Sequence, residues 1–529
     1  MKQLPVVLAF AAFLALVSPP GKTAAVVAFS SDIATLVDFT FDGELDVSTP
    51  SPDRAQAIGN QLLYTVGLLN GDRAVGRLAA VKLSNVRSAV AAGGTRIRYH
   101  AVLPVAWGAG QVPSHYTLRL PRRVDGVGVQ EFTKRYNSTC VDFGGHDIDT
   151  GSMWYFYRPN RAGCVLRPSD VIKVQATVQV SSENTTGKYP EYNRVWSDNA
   201  LDALVIFAKY EDGATTGGDA GIAAYNEFSA AMRIAMGSDA VTMPATVPPS
   251  PGVFTPDITF TKTVGDRRTT VTTLLIDSPA TAGAAFDARY ASLSTSADLI
   301  IFNGHSGLGA TFGVLAQKAA FSAGKYLIFF MNSGDSFAYL DHSLAQRRAS
   351  LNPDDPGGTR HMDIVTNAMP AFFASMSSAS LPLLRAMMDP ATPHTYDEIL
   401  SRIDSNQVAL VTGEEDNTPG PGGGIVTNWA GMNDVSSVSR GEERLYETPT
   451  LTAGLYTFTM THDPAHAGGD ADLYVRVGQR PTTSAYNCRP FKAGSDEACE
   501  IQLATPAQLF VMVRGYADRT SHYRLAGQR

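Results

Sequence analysis

Between residues 196 and 415 the chain alternates apolar runs with stretches of helical spacing, and few folds accommodate that pattern. "LDALVIFAKY" (201–210), "ADLIIF" (297–302), "KYLIFFMNS" (325–333) and "DIVTNAMPAFF" (363–373) are runs of largely apolar residues without a polar face. A strand of that kind has to be buried on both faces. The stretch 253–277 also reads as strand. Helical spacing falls at 219–237, 284–296, 314–321, 380–388 and 395–403. The expectation is an α/β unit with a parallel sheet covered on both sides.

The rest of the chain reads differently. Residues 26–195 show period-two alternation at 95–107, 114–121 and 170–182, which predicts a mainly β unit. One helix is expected over 51–69, started by Ser51 or Asp53. "NTPGPGGG" (417–424) marks a linker at 416–440. Alternation returns at 441–529 in short strands that fit a β-sandwich. At 529 residues the chain exceeds one hydrophobic core, and about three domains are expected.

The opening "MKQLPVVLAFAAFLALVSPPGKTAA" places Lys2 before an apolar run, Val6 to Val17, that Pro19 and Pro20 break. Residues 1–25 read as a signal peptide, so the mature protein is expected to be secreted, with no later membrane span. A net charge of −7 argues against nucleic acid as a partner. The four cysteines fall into two local pairs. In an oxidising compartment they predict disulfides Cys140–Cys164 and Cys488–Cys499, leaving no free thiol. The first loop contains Asp142, His146, Asp147, Asp149 and the run Trp154 to Tyr157. It reads either as a metal or aromatic binding loop, or as a hairpin with polar turns and inward aromatics.

The central apolar runs end in polar and small residues. One delivers Asn303, Gly304, His305, Ser306 and Gly307; the next delivers Asn332, Ser333, Gly334 and Asp335. This order resembles the caspase–gingipain–legumain–clostripain superfamily of cysteine peptidases. The resemblance implies a general base at the end of one strand and a nucleophilic Cys at the end of its neighbour. Neighbouring strands lie roughly 4.8 Å apart, which puts two such groups within reach. His305 matches the base. The Cys position holds Ser333 or Gly334, depending on register. A hydroxyl at Ser333 needs strong activation, and Asp335 is the candidate to orient His305. Asn303, Gly304, Gly307 and Asp212 are candidate binding residues around the same edge. The expected function is a peptidase-like protein without catalysis that binds an extracellular protein or insoluble polymer. The alternative is a hydrolase using His305 with Ser333.

At the C-terminal end, Asp470 to Val475, Pro481-Thr482-Thr483, Tyr486 to Pro490, Cys499 and Val513 to Tyr516 resemble the bacterial pre-peptidase C-terminal domain. The resemblance implies a β-sandwich appended to secreted hydrolases. It is often removed on maturation, and in some members it aids binding of insoluble substrates or calcium. No cofactor is required by this reading. Asp470 and Asp472 are candidate calcium ligands, with turn capping or pairing to Arg476 or Arg489 as the other option. Tyr474, Tyr486, Phe491 and Tyr516 are candidates for a stacking face or for core packing.

Overall fold

A computed structural model describes residues 32–48, 52–91, 93–108, 110–142, 147–183, 185–404, 406–413, 429, 431–448, 451–466, 468–503 and 507–529. The expected signal peptide, Ser51, His146 and much of the expected linker lie outside the described residues. Among the described residues no helix is long and apolar enough to cross a membrane.

The apolar runs form the middle of a nine-stranded sheet. From one edge its order is Asp32–Ile33, Val408–Gly413, Met362–Asn367, Leu327–Asn332, Leu299–Asn303, Ala200–Ala208, Arg267–Ile276, Asp257–Val264 and Val241–Met243. The five strands from Met362–Asn367 to Arg267–Ile276 are parallel. The sheet is therefore parallel only in its middle. Val408–Gly413 runs antiparallel to its neighbour, and the stretch 253–277 proves to contain an antiparallel hairpin, Asp257–Val264 with Arg267–Ile276.

Burial on both faces explains the apolar runs. Val205, Ile301 and Phe330 pack against Ile222 and Phe228 of helix Ala220–Met236 and against Leu383 and Met387 of helix Met376–Met388. On the opposite face Leu204, Ile300 and Phe329 meet Phe286 and Tyr290 of helix Gly283–Ser294 and Phe312 and Leu315 of helix Ala310–Lys318. That second core continues into the N-terminal unit. After Ala200–Ala208 the chain builds the hairpin on one side, then crosses to add Leu299–Asn303 on the other. The C-terminal ends of Ala200–Ala208 and Leu299–Asn303 thus flank a topological switch point, where open α/β sheets place their ligand sites.

The N-terminal unit is an antiparallel sheet in the order Ala74–Gly76, Gly94–Trp107, Thr35–Val47, Val171–Val180, His115–Pro121, with Lys82–Ala91 also paired to Gly94–Trp107. The expected helix at 51–69 divides into Arg54–Leu62 and Tyr64–Asn70. Asp53 caps the first by accepting from the N–H groups of Ala55 and Gln56 at 3.0 and 3.1 Å. Cys140 is bonded to Cys164, closing a loop over the helices.

The C-terminal unit packs a four-stranded sheet (Met432–Val438, Ser521–Gln528, Gly454–His462, Glu497–Leu503) on a three-stranded one (Glu443–Glu447, Leu509–Gly515, Ala471–Val477). Phe458, Met460, Leu473, Val475, Val511 and Leu525 fill the space between. Cys488 is bonded to Cys499 across a separation of 11 residues. Replacing both by Ser is expected to cost this unit about 3 kcal/mol, chiefly by freeing the unfolded chain. The check is a lowered C-terminal melting transition without added reductant, and no change in the rest of the melt.

Candidate active site and cleft

Leu299–Asn303 and Leu327–Asn332 are adjacent and parallel, with Asn303 opposite Asn332. Both asparagines are buried, so their amides need partners. The Asn332 Nδ2 donates to Asn303 Oδ1 at 2.7 Å, and the Ser380 hydroxyl donates to the same oxygen at 3.0 Å. Asn303 Nδ2 donates to the Ile206 carbonyl at 3.3 Å. Asn303 is a staple across three elements rather than an open binding group.

Two residues beyond this pair lie His305 on one strand end and Gly334 on the next. The ladder ends at the asparagine pair, and beyond it both His305 and Gly334 line one cleft of about 910 Å³. Ser333 is fully buried, its Oγ has no hydrogen-bond partner among the described residues, and it does not line the cleft. A Cβ added at Gly334 would find its nearest neighbours at 3.5 Å (Tyr155 Oη) and 3.8 Å (Ala371 N), so the position is open to a side chain.

The loop after Asn303 is tightly specified. A Cβ at Gly304 would sit 2.7 Å from the Ala208 Cβ and 2.8 Å from the Phe302 ring. Gly307, Leu308 and Gly309 then take φ of 58°, 53° and 94°, turning the chain into helix Ala310–Lys318. The Thr311 hydroxyl donates to the His305 carbonyl at 3.1 Å. Gly304→Ala is expected to destabilise the protein by roughly 1–3 kcal/mol by pushing this loop off the strand end. A lower urea midpoint with an unchanged slope would register it.

The exposed His305 ring packs on Tyr210 and Phe373, with ring centroids 5.2 and 4.8 Å away. Its Nε2 lies 3.1 Å from the Tyr210 carbonyl oxygen. A carbonyl only accepts, so Nε2 carries the proton and Nδ1 is the basic nitrogen of the neutral ring.

Asp335 does not orient this ring. Its φ of 50° turns the chain away after Gly334, and its fully buried carboxylate instead accepts from Asn70 Nδ2 of the N-terminal unit at 2.8 Å. Burial pushes its pKa up to about 6, with the Asn70 hydrogen bond and the Arg158 charge pulling the other way. The Tyr155 hydroxyl is close enough to feel that carboxylate but forms no bond of hydrogen-bonding geometry with Oδ2. The set Ser333–His305–Asp335 is therefore not assembled as a relay.

The remaining wall comes from the disulfide-closed loop. Trp154, Tyr155, Phe156 and Arg158 line the cleft, together with Tyr339, Phe372 and Phe373. Arg158 donates to the carbonyls of Gly67, Tyr155 and Tyr157 and lies 3.7 Å from Asp142. Asp149 accepts from the N–H groups of Gly151 and Ser152 at 2.8 and 2.9 Å, shaping the turn before helix Met153–Phe156. Among the described residues, no group of three or more His, Cys, Asp or Glu is placed to hold a metal ion. Asp212 also lies outside the cleft. It accepts from the Ser278 N–H at 2.8 Å and the Thr281 hydroxyl at 2.6 Å, stitching two loops together. Gly304 and Gly307 do line the cleft.

In the C-terminal unit the Asp472 carboxylate is taken by Arg489, at 2.7 Å, and Asp470 accepts from the Gly494 N–H at 2.8 Å. Arg489 in turn stacks over Tyr474, Phe491 and Tyr516, 4.8, 4.1 and 5.6 Å from the ring centroids. Tyr474 is core; Tyr486 and Phe491 are exposed.

No family model matches the chain. It is 35% identical over 101 residues to a zinc metalloprotease of Helicobacter pylori, a match covering 19% of this chain and 38% of that one. It is 34% identical over 106 residues to alkaline serine exoprotease A of Vibrio alginolyticus, covering 20% and 19%. The chain thus spans well under half the length of these curated relatives. Among solved structures, the pre-peptidase C-terminal domain of a Bacillus anthracis collagenase aligns at 13% identity and a TM-score of 0.16, over 18% of this chain and 88% of that domain. The chain is similar, over a limited stretch, to parts of bacterial proteases. These comparisons do not include the caspase–gingipain superfamily.

Proposed function

We propose that the chain is an exported, protease-associated protein whose central cleft binds an extracellular protein without cleaving it. One observation carries this reading: of the two candidate nucleophile positions, the one that shares the cleft with His305 is Gly334, which has no nucleophile. Adjacent parallel strands whose ends lead to an imidazole and a small residue are compatible with a peptidase-like layout, which is our reading of the cleft. The buried Ser333 offers no accessible hydroxyl, which weighs against the hydrolase alternative.

The matched relatives support association with proteases. One is named a zinc metalloprotease and another a serine exoprotease. Stretches of similar length, matched in enzymes of unlike catalytic chemistry, are best read as an accessory module rather than as either catalytic apparatus. We assign that role to the C-terminal sandwich, with attachment to an insoluble polymer as its expected contribution. Calcium has a weak claim there, because Arg489 already neutralises Asp472.

The test is a fluorogenic peptide panel on the mature protein, alongside sedimentation with insoluble collagen, chitin and cell wall. The expected result is no turnover, with retention on at least one solid phase. Turnover abolished by both His305→Ala and Ser333→Ala would overturn the non-catalytic reading.

A further inference from the structure

We propose that a second pocket, on the far side of helix Met376–Met388 from the sheet, binds a tetrahedral oxyanion, that is, a phosphate or sulfate group. The pocket has a volume of about 420 Å³ and is lined by Arg385 and Arg402, with His394, Ser378 and Asp389 around them and Leu381 and Pro382 as its apolar part. It has room for the anion and the first atoms of whatever carries it.

Two features set it apart from an ordinary charged surface. Arg385 and Arg402 line the pocket from separate elements, one from the last turn of the helix and one from the turn after helix Tyr396–Leu400. Among the described residues neither has a carboxylate within the 4.0 Å of an ion pair, although Asp389 stands in the same wall. Arg385 alone would be accounted for by the negative end of its helix. Arg402 is not, and two guanidinium groups lining one concavity, neither of them held in an ion pair, can offer their forks to the oxygens of a tetrahedral anion. On a chain of net charge −7, this is a local reversal of sign. His394 also lines the pocket, its ring 3.4 Å from Glu398, which in turn holds Arg480 of the C-terminal unit at 2.8 Å.

The experiment is calorimetric titration of the full chain with inorganic phosphate and with sulfate, against chloride at matched ionic strength. Dextran sulfate and uncharged dextran form a second arm. The expected result is saturable binding of the oxyanions beyond the chloride control. R385Q/R402Q should weaken it at least tenfold, and R385K/R402K several-fold, because lysine keeps the charge and loses the fork. Tighter binding of dextran sulfate that free sulfate displaces assigns the group to a polymer; phosphate binding alone assigns it to the free ion. The proposal is overturned if neither ion nor dextran sulfate exceeds its control, or if R385Q/R402Q binds like the parent. Both arginines are exposed, so folding is not at stake; a far-UV spectrum and melt of each variant verify this.

Discussion

A cysteine installed at position 334 should react rapidly with iodoacetamide at neutral pH, and one installed at 333 should not. Both disulfides consume the native thiols, so each variant carries a single free sulfur. Position 334 lines the same cleft as His305; position 333 is sealed in the core. An unperturbed thiol is only a few per cent ionised at pH 7. An imidazole beside it raises that fraction, so His305→Ala in the Gly334→Cys background should slow alkylation about tenfold or more. If the strand ends retain the geometry of a cysteine peptidase, Gly334→Cys should also gain peptide turnover. Loss of His305 should then lower that turnover by roughly a hundredfold or more, the scale of general-base assistance. Faster reaction at 333 than at 334, or indifference of the thiol at position 334 to His305, would sink the register argument.

Asp335→Asn should stabilise the protein at neutral pH by about 2–3 kcal/mol, an effect that shrinks toward zero as the pH falls to about 4. The sign follows from burial. The carboxyl titrates near 3.8 in the unfolded chain and at about 6 when folded, so the fold holds its proton more tightly. Its stability contribution is therefore fully present below the unfolded value and is lost as pH rises through the folded one. Asparagine keeps the oxygen that accepts from Asn70 and has no charge to bury. Urea unfolding at several pH values decides the point. A variant less stable than the parent at pH 7.5 would mean that the charge contact with Arg158 outweighs desolvation.

Much of the central sheet was legible because burial on both faces leaves no alternative to an apolar run. Leu299–Asn303 and Leu327–Asn332 could be placed for that reason, and their polar ends marked a site. The choice between Ser333 and Gly334 could not be read, because one residue of register reverses which side chain faces the cleft. Asp335 escaped for a different reason: a left-handed residue redirects the chain, and no local pattern announced one there. Trp154 to Phe156 stood out as aromatic, yet their sharing a cleft with His305 brings two units together in a way that no periodicity encodes. Asp212 drew attention as an acid near a strand end, while its partners Ser278 and Thr281 are more than sixty residues away in sequence.

The pairing of Asp32–Ile33 with Val408–Gly413 has a practical bearing on dissecting this protein. The edge strand of the central sheet is encoded before the N-terminal unit, so that unit is topologically an insertion rather than a bead on a string. Arg73 reinforces the arrangement by gripping Asp32 at 2.7 Å and the Gln407 carbonyl at 3.1 Å. A fragment beginning at residue 196 would leave Val408–Gly413 with an unpaired edge and the turn Ser336–Tyr339 without Ala74–Gly76 and Leu78–Ala80, which pack on it. Such a fragment is a poor candidate for a minimal domain, since bare strand edges and stripped apolar faces favour self-association. Cutting after the linker, to free the sandwich, respects the architecture.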